Sequence, residues 1–163
     1  MPEGGPLSAP MQNRHVYTVR VWNVLRTLAE SRIIIENEAN LLEFDNLLTP
    51  CYQQLANPDE ICFDDDILDI IMSTSKITKN IAPNMKACIV YFPMILEKYK
   101  GQISQLLGAF NCYFLYAKDV FQESKAVDMA IDIGIKSTIM PNDQMVDMHK
   151  TEGTLLFLSL IHI

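Results

Sequence analysis

No glycine occurs between Gly5 and Gly101, and that absence constrains the fold more than any other feature of the chain. Tight hairpins and phosphate-cradling loops need residues that enter positive φ at little cost, which is chiefly the work of glycine. Long helices joined by short connections need far fewer such residues. The prolines agree: Pro2, Pro6 and Pro10 fall at the start of the chain, and the remaining five are isolated.

Hydrophobic spacing supplies the helices. From Arg14 onward, Val16, Tyr17, Val19, Val21, Trp22, Val24, Leu25 and Leu28 predict a helix that is apolar round most of its circumference, as a helix covered on two sides would be. Leu41, Phe44, Leu47, Leu48, Cys51, Tyr52 and Leu55 predict a second helix over 37–56, kinked or interrupted by Pro50. Asn57-Pro58-Asp59 reads as a turn. A third helix should begin near Phe63, where Asp64, Asp65 and Asp66 suit the positive end of a helix dipole, and run through Ile77. The fourth carries Met85, Cys88, Ile89, Phe92, Ile95, Leu96 and Tyr99 around an internal Pro93 and stops at Gly101. A fifth is expected on Ile103, Leu106, Leu107, Phe110, Tyr113 and Phe114, a sixth over about 124–139, and a seventh from near Asp143.

Seven helices leave no room for a sheet, so the chain reads as all-α. The pattern also repeats. Starts near Asn37, Asn84 and Ser124 are separated by about 40 to 47 residues, the period of HEAT and armadillo repeats. The expected fold is therefore an α-solenoid of antiparallel helix pairs, roughly three repeats over 14–157, with 1–13 as a flexible lead. A four-helix bundle is the competing arrangement; the recurring proline-bearing helices favour the solenoid.

The tail 158–163, Leu-Ser-Leu-Ile-His-Ile, has the translation of a transposase adapter used in sequencing libraries. It is expected to be adapter-derived, so that the helical domain is a fragment of a larger solenoid.

Composition narrows the function. A formal charge of −7 argues against a nucleic-acid binder, which normally shows a basic stripe, and is compatible with basic protein partners. No apolar run reaches the ~18 residues of a membrane span. The cysteines Cys51, Cys62, Cys88 and Cys112 form no C-x-x-C pair and read as buried free thiols. His15, His149 and His162 lie in no metal or nucleophile motif, and neither a P-loop nor a G-x-G-x-x-G is present. An enzyme is not expected, and no cofactor.

The densest charge feature is Asp59, Glu60, Asp64, Asp65, Asp66 and Asp69. Its spacing lacks the calcium-loop pattern. Two readings remain. It is a helix N-terminus with acidic side chains placed for the dipole, or Asp59, Glu60, Asp64, Asp65 and Asp66 form a patch that contacts basic cargo. The aromatic residues Tyr91, Phe92, Tyr99, Phe110, Tyr113, Phe114 and Tyr116 read mainly as core, although some could line a groove between outer helices where a Phe-containing peptide inserts.

Residues 47–121 carry a more specific pattern. A helix with a central proline precedes Phe63-Asp64-Asp65-Asp66-Ile67-Leu68-Asp69-Ile70-Ile71; Ile81-Ala82-Pro83-Asn84-Met85 follows, then Tyr113 and Ala117-Lys118-Asp119-Val120-Phe121. In order and spacing this resembles the C-terminal part of importin-β superfamily receptors of the importin seven/eight type. Lys86 stands where Trp is usual, and Ala117 stands in place of Gly. The resemblance implies a HEAT-repeat nuclear transport receptor that shuttles between nucleus and cytoplasm. Such a receptor carries protein cargo, binds nucleoporin Phe-Gly repeats and is controlled by the GTPase Ran in its GTP form. An export receptor of the same superfamily and a HEAT scaffold without a transport role are the alternatives.

Overall fold

The computed structural model describes residues 9–57, 63–98 and 104–122, together with Lys125, Asp128, Met129, Ile131, Asp132 and Ile135. Every regular element among the described residues is helical, and none is a strand. Helix α1 spans Ala9–Glu30, beginning before the expected Arg14. Ser31 then takes an extended conformation, and its carbonyl accepts from the amides of Ile34 and Ile35 to start a one-turn helix, α2, at Arg32–Ile35. That turn has no counterpart in the hydrophobic spacing, because four residues are too few to carry a period.

Helix α3 covers Glu38–Gln54. Its N-cap is Asn37, whose side-chain oxygen accepts from the Asn40 amide at 3.2 Å. Pro50 lies within α3 without ending it, on an exposed position. Helix α4 spans Asp64–Thr78, with Asp64, Asp65 and Asp66 in its first turn as the dipole argument requires. It closes on Lys79, which adopts φ 56 and donates its amide to the Ser75 carbonyl, a left-handed cap made without glycine.

The fourth expected helix is broken into three pieces. Helix α5 spans Pro83–Ala87, a 3₁₀ turn covers Cys88–Tyr91, and α6 spans Phe92–Lys98. Pro93 explains the break: an α-helical turn would press its ring against the carbonyl of Ile89, and Pro93 has no amide to give it. The tightened turn supplies that carbonyl with the amide of Phe92 instead. Helix α7 spans Ser104–Tyr116, a 3₁₀ turn follows at Lys118–Gln122, and the described residues from Lys125 to Ile135 are helical. With 83–98 counted as one broken helix, about six helices pack against one another among the described residues, where the sequence predicts seven over the whole chain. The helix expected from Asp143, the turn residues Pro58 and Asp59, the stop at Gly101 and the tail 158–163 lie outside the described residues.

The helices adjoin in alternation. Helix α4 lies between α1 and α7, and α3 packs beside α5. As the middle member, α4 is largely enclosed: Ile67, Leu68, Ile70, Ile71, Thr74 and Ser75 are buried, and Lys76 alone in the helix is exposed. Its close approach to α7 passes Gly108, where a Cβ would stand 2.7 Å from Met72 Sδ. Between α6 and α7, Phe92 meets Tyr113 edge-on at 5.2 Å, and Phe110, Phe114 and Phe121 continue the aromatic cluster. At the other end Trp22 stacks on Phe63 at 5.1 Å.

A candidate protein-binding groove

One polar arrangement fixes where α5 begins. The N-cap position of α5 is Ala82, whose side chain cannot accept a hydrogen bond. Asp45, buried in the middle of α3, does so from across the interface. Its Oδ2 accepts from the Asn84 amide at 2.8 Å, and its Oδ1 accepts from the Met85 amide at 3.0 Å and the Tyr52 hydroxyl at 3.1 Å. Asn84 Nδ2 donates to Asn46 Oδ1 beside it at 3.0 Å. On the far side of α5, the Tyr113 hydroxyl donates to the Met85 carbonyl. Burial, with Asp45 second, holds the Tyr52 phenol well above its ordinary pKa, and burial pushes the Cys88 thiol up to about 12. Both groups are therefore neutral and chemically quiet in the folded protein.

Held in this way, α5 and the 3₁₀ turn after it form one wall of an open groove of about 780 Å³. The opposite wall is Asp119 and Val120 of the last 3₁₀ turn, with Lys125 and Met129. Ile89, Val90 and Tyr91 make it largely apolar, and Val90 stands 64% exposed, high for a valine beside a core. Lys86 spans the groove and donates from Nζ to Asp119 Oδ2 at 3.0 Å. That hydrogen bond holds the Asp119 carboxyl below its usual range. The groove has the size and apolar lining of a site for a short peptide segment, and among the described residues that line it there is no nucleophile–base pair. Among the described residues no group of His, Cys, Asp and Glu could hold a metal ion, and no helix is long and apolar enough to cross a membrane.

The acidic cluster is differently placed. Asp59 and Glu60 lie outside the described residues. Asp64 is buried and pairs with Lys98 Nζ at 3.2 Å, side chains 3% and 4% exposed, so it faces the interior. Lys98 also donates to the Leu55 carbonyl at 3.2 Å. Asp66 and Asp69 accept from Arg26 of α1 at 3.3 and 3.1 Å. Asp65 is half-buried, and burial followed by the charges of Asp69 and Asp66 raises its pKa. Much of the cluster thus joins α4 to α1 and α6, a use that charge density in the sequence does not distinguish from a surface patch.

Of the aromatic residues, Phe92, Phe110, Tyr113 and Phe114 are buried, Tyr91 and Tyr116 are half-buried, and Tyr91 lines the groove. Tyr99 lies outside the described residues. Sequence reasoning singled out Lys86 only as a departure from a family pattern, met Asp119 and Val120 only within the quoted family motif, and did not reach Val90, Lys125 or Met129. Their sole signal was an apolar residue, Val90, out of phase with the buried stripe of its helix.

No family model, curated protein or solved structure matches the chain.

Proposed function

We propose that the chain is a protein-binding segment of a helical-repeat solenoid and, from the resemblance over 47–121, part of a nuclear transport receptor. The observation that carries the solenoid reading is the alternation of neighbours, with α4 between α1 and α7 and α3 beside α5. That is the adjacency of stacked helix pairs, in which each pair contacts the next. The side-chain bonds support it. Arg26 to Asp66, Asp45 to Met85, Asn46 to Asn84 and Leu55 to Lys98 span 40, 40, 38 and 43 residues, each about one repeat.

In this reading the groove beside Val90 takes a short apolar segment of another protein, and nucleoporin Phe-Gly repeats are the ligand class that the resemblance suggests. Cargo carriage and control by Ran belong to the whole receptor. A labelled Phe-Gly repeat peptide titrated into the purified chain should bind saturably, and Val90→Asp should weaken binding about tenfold or more while leaving the melting curve unchanged. No binding by the unaltered chain would remove the transport reading and leave a scaffold of the same architecture. In the full-length receptor, cargo released by Ran-GTP marks an importer, and cargo that requires it marks an exporter.

A further inference from the structure

The groove bounded by α5 and the last 3₁₀ turn is opposite in charge to the chain as a whole. The chain carries −7, yet the charged residues that line the groove are Lys86, Lys125 and Asp119. Lys86 and Asp119 face each other, Nζ to Oδ2 at 3.0 Å, so their charges cancel and that of Lys125 is left over. Lys125 is exposed and forms no ion pair with any described residue. Lys118 and Asp128, exposed on the flanking segments, are not part of the lining. The Lys86 ammonium gives one proton to Asp119 and has two more to donate. Beside these cations the groove is apolar, with Val90 on one wall and Met129 on the other.

We propose that the segment taken by the groove is acidic as well as apolar: an apolar side chain packs on Val90 and Met129, and a neighbouring Asp or Glu pairs with Lys125 and Lys86. This rests on the reading of the groove as a protein-binding site and adds the charge of its occupant. Asp119 shows the chemistry in place, since the chain's own carboxylate already lies at hydrogen-bond distance from Lys86 at the edge of the apolar lining. Apolar burial supplies the affinity, and the cations select the partner. A basic segment would meet two ammonium groups and one carboxylate, so the groove rejects the class of ligand that the acidic cluster suggested from sequence. The −7 of the whole chain does not reverse this. At physiological ionic strength, charges beyond about 8 Å are largely screened, and the sign inside the groove decides.

Three labelled peptides test this by fluorescence anisotropy on the purified chain at physiological salt. All share a central Phe-Leu pair in a Gly-Ser background, and they carry two Asp, two Asn or two Lys on either side of it. The Asp peptide should bind about fivefold tighter than the Asn peptide, and the Lys peptide should bind weakest. Lys125→Glu should invert that order. Asp119→Asn, which frees Lys86, should tighten the Asp peptide about threefold and leave the Asn peptide unchanged. Far-UV dichroism and melting check that both variants fold; Lys125 is exposed, so its substitution remains decisive if the other disturbs the turn. Equal binding of all three peptides, or a preference for Lys, would overturn this inference alone and leave the groove as a neutral site. Asp selectivity that survives Lys125→Glu unchanged would overturn it too. Binding of none would remove the groove reading together with it.

Discussion

Asp45 shows how much one side chain settles in this molecule. It sits within the apolar interior at 1% exposure, yet both oxygens are occupied, by two backbone amides and a phenol. A buried carboxylate with this many donors is stabilised, whereas amides left without it would be orphans in the core. Asp45→Ala should lower the stability of the chain by about 2–4 kcal/mol, a lost cap plus unsatisfied amides, and Asp45→Asn, which keeps one acceptor oxygen, by clearly less. Urea denaturation of the two variants measures the difference, and equal losses would mean the cap contributes little. None of this was legible in the sequence. Asp45 falls among the apolar positions of α3 like any interruption of the stripe, and its partners lie 39 and 40 residues away.

Between elements, the ion pair of Asp64 and Lys98 joins the first turn of α4 to the last turn of α6, each charge at the end of the dipole that favours it. Lys98→Met should cost about 3–5 kcal/mol, because it leaves a carboxylate buried without its cation. Combining it with Asp64→Leu should recover most of that loss, since the desolvation cost disappears with the second charge. Thermal or urea unfolding of single and double variants gives the answer; a double variant no better than the single would place the stabilisation in the pair itself. The helices that carry this pair were legible from spacing alone, and α3, α4 and α7 begin and end within a few residues of expectation. The one-turn α2 and the 3₁₀ break before Pro93 were not. The first is too short to show a period, and at the second the proline announces a disturbance without saying whether the chain bends, stops or tightens.

At the scale of the molecule, burial is continuous from Trp22 to Phe121, so the interior should open to solvent only when helices separate. Cys88 and Cys112 are buried and Cys51 is half-buried. Peptide mapping after pulsed alkylation should find Cys51 modified before Cys88 and Cys112. Cys88 and Cys112 should react only in step with the loss of helical dichroism in rising urea. Labelling of Cys88 in the folded chain as fast as Cys51 would contradict the enclosure of α5. The groove escaped the sequence because periodicity marks which residues are apolar, not which of them a neighbour covers. The alternation of neighbours has a mechanical consequence. On the proposed solenoid reading, Arg26 to Asp66, Asp45 to Met85 and Leu55 to Lys98 join residues about one repeat apart, so a pull on the two ends loads them one after another instead of all together. Drawn out between two beads, the molecule should yield in small successive steps at low force and shorten again on release, behaving as a soft spring.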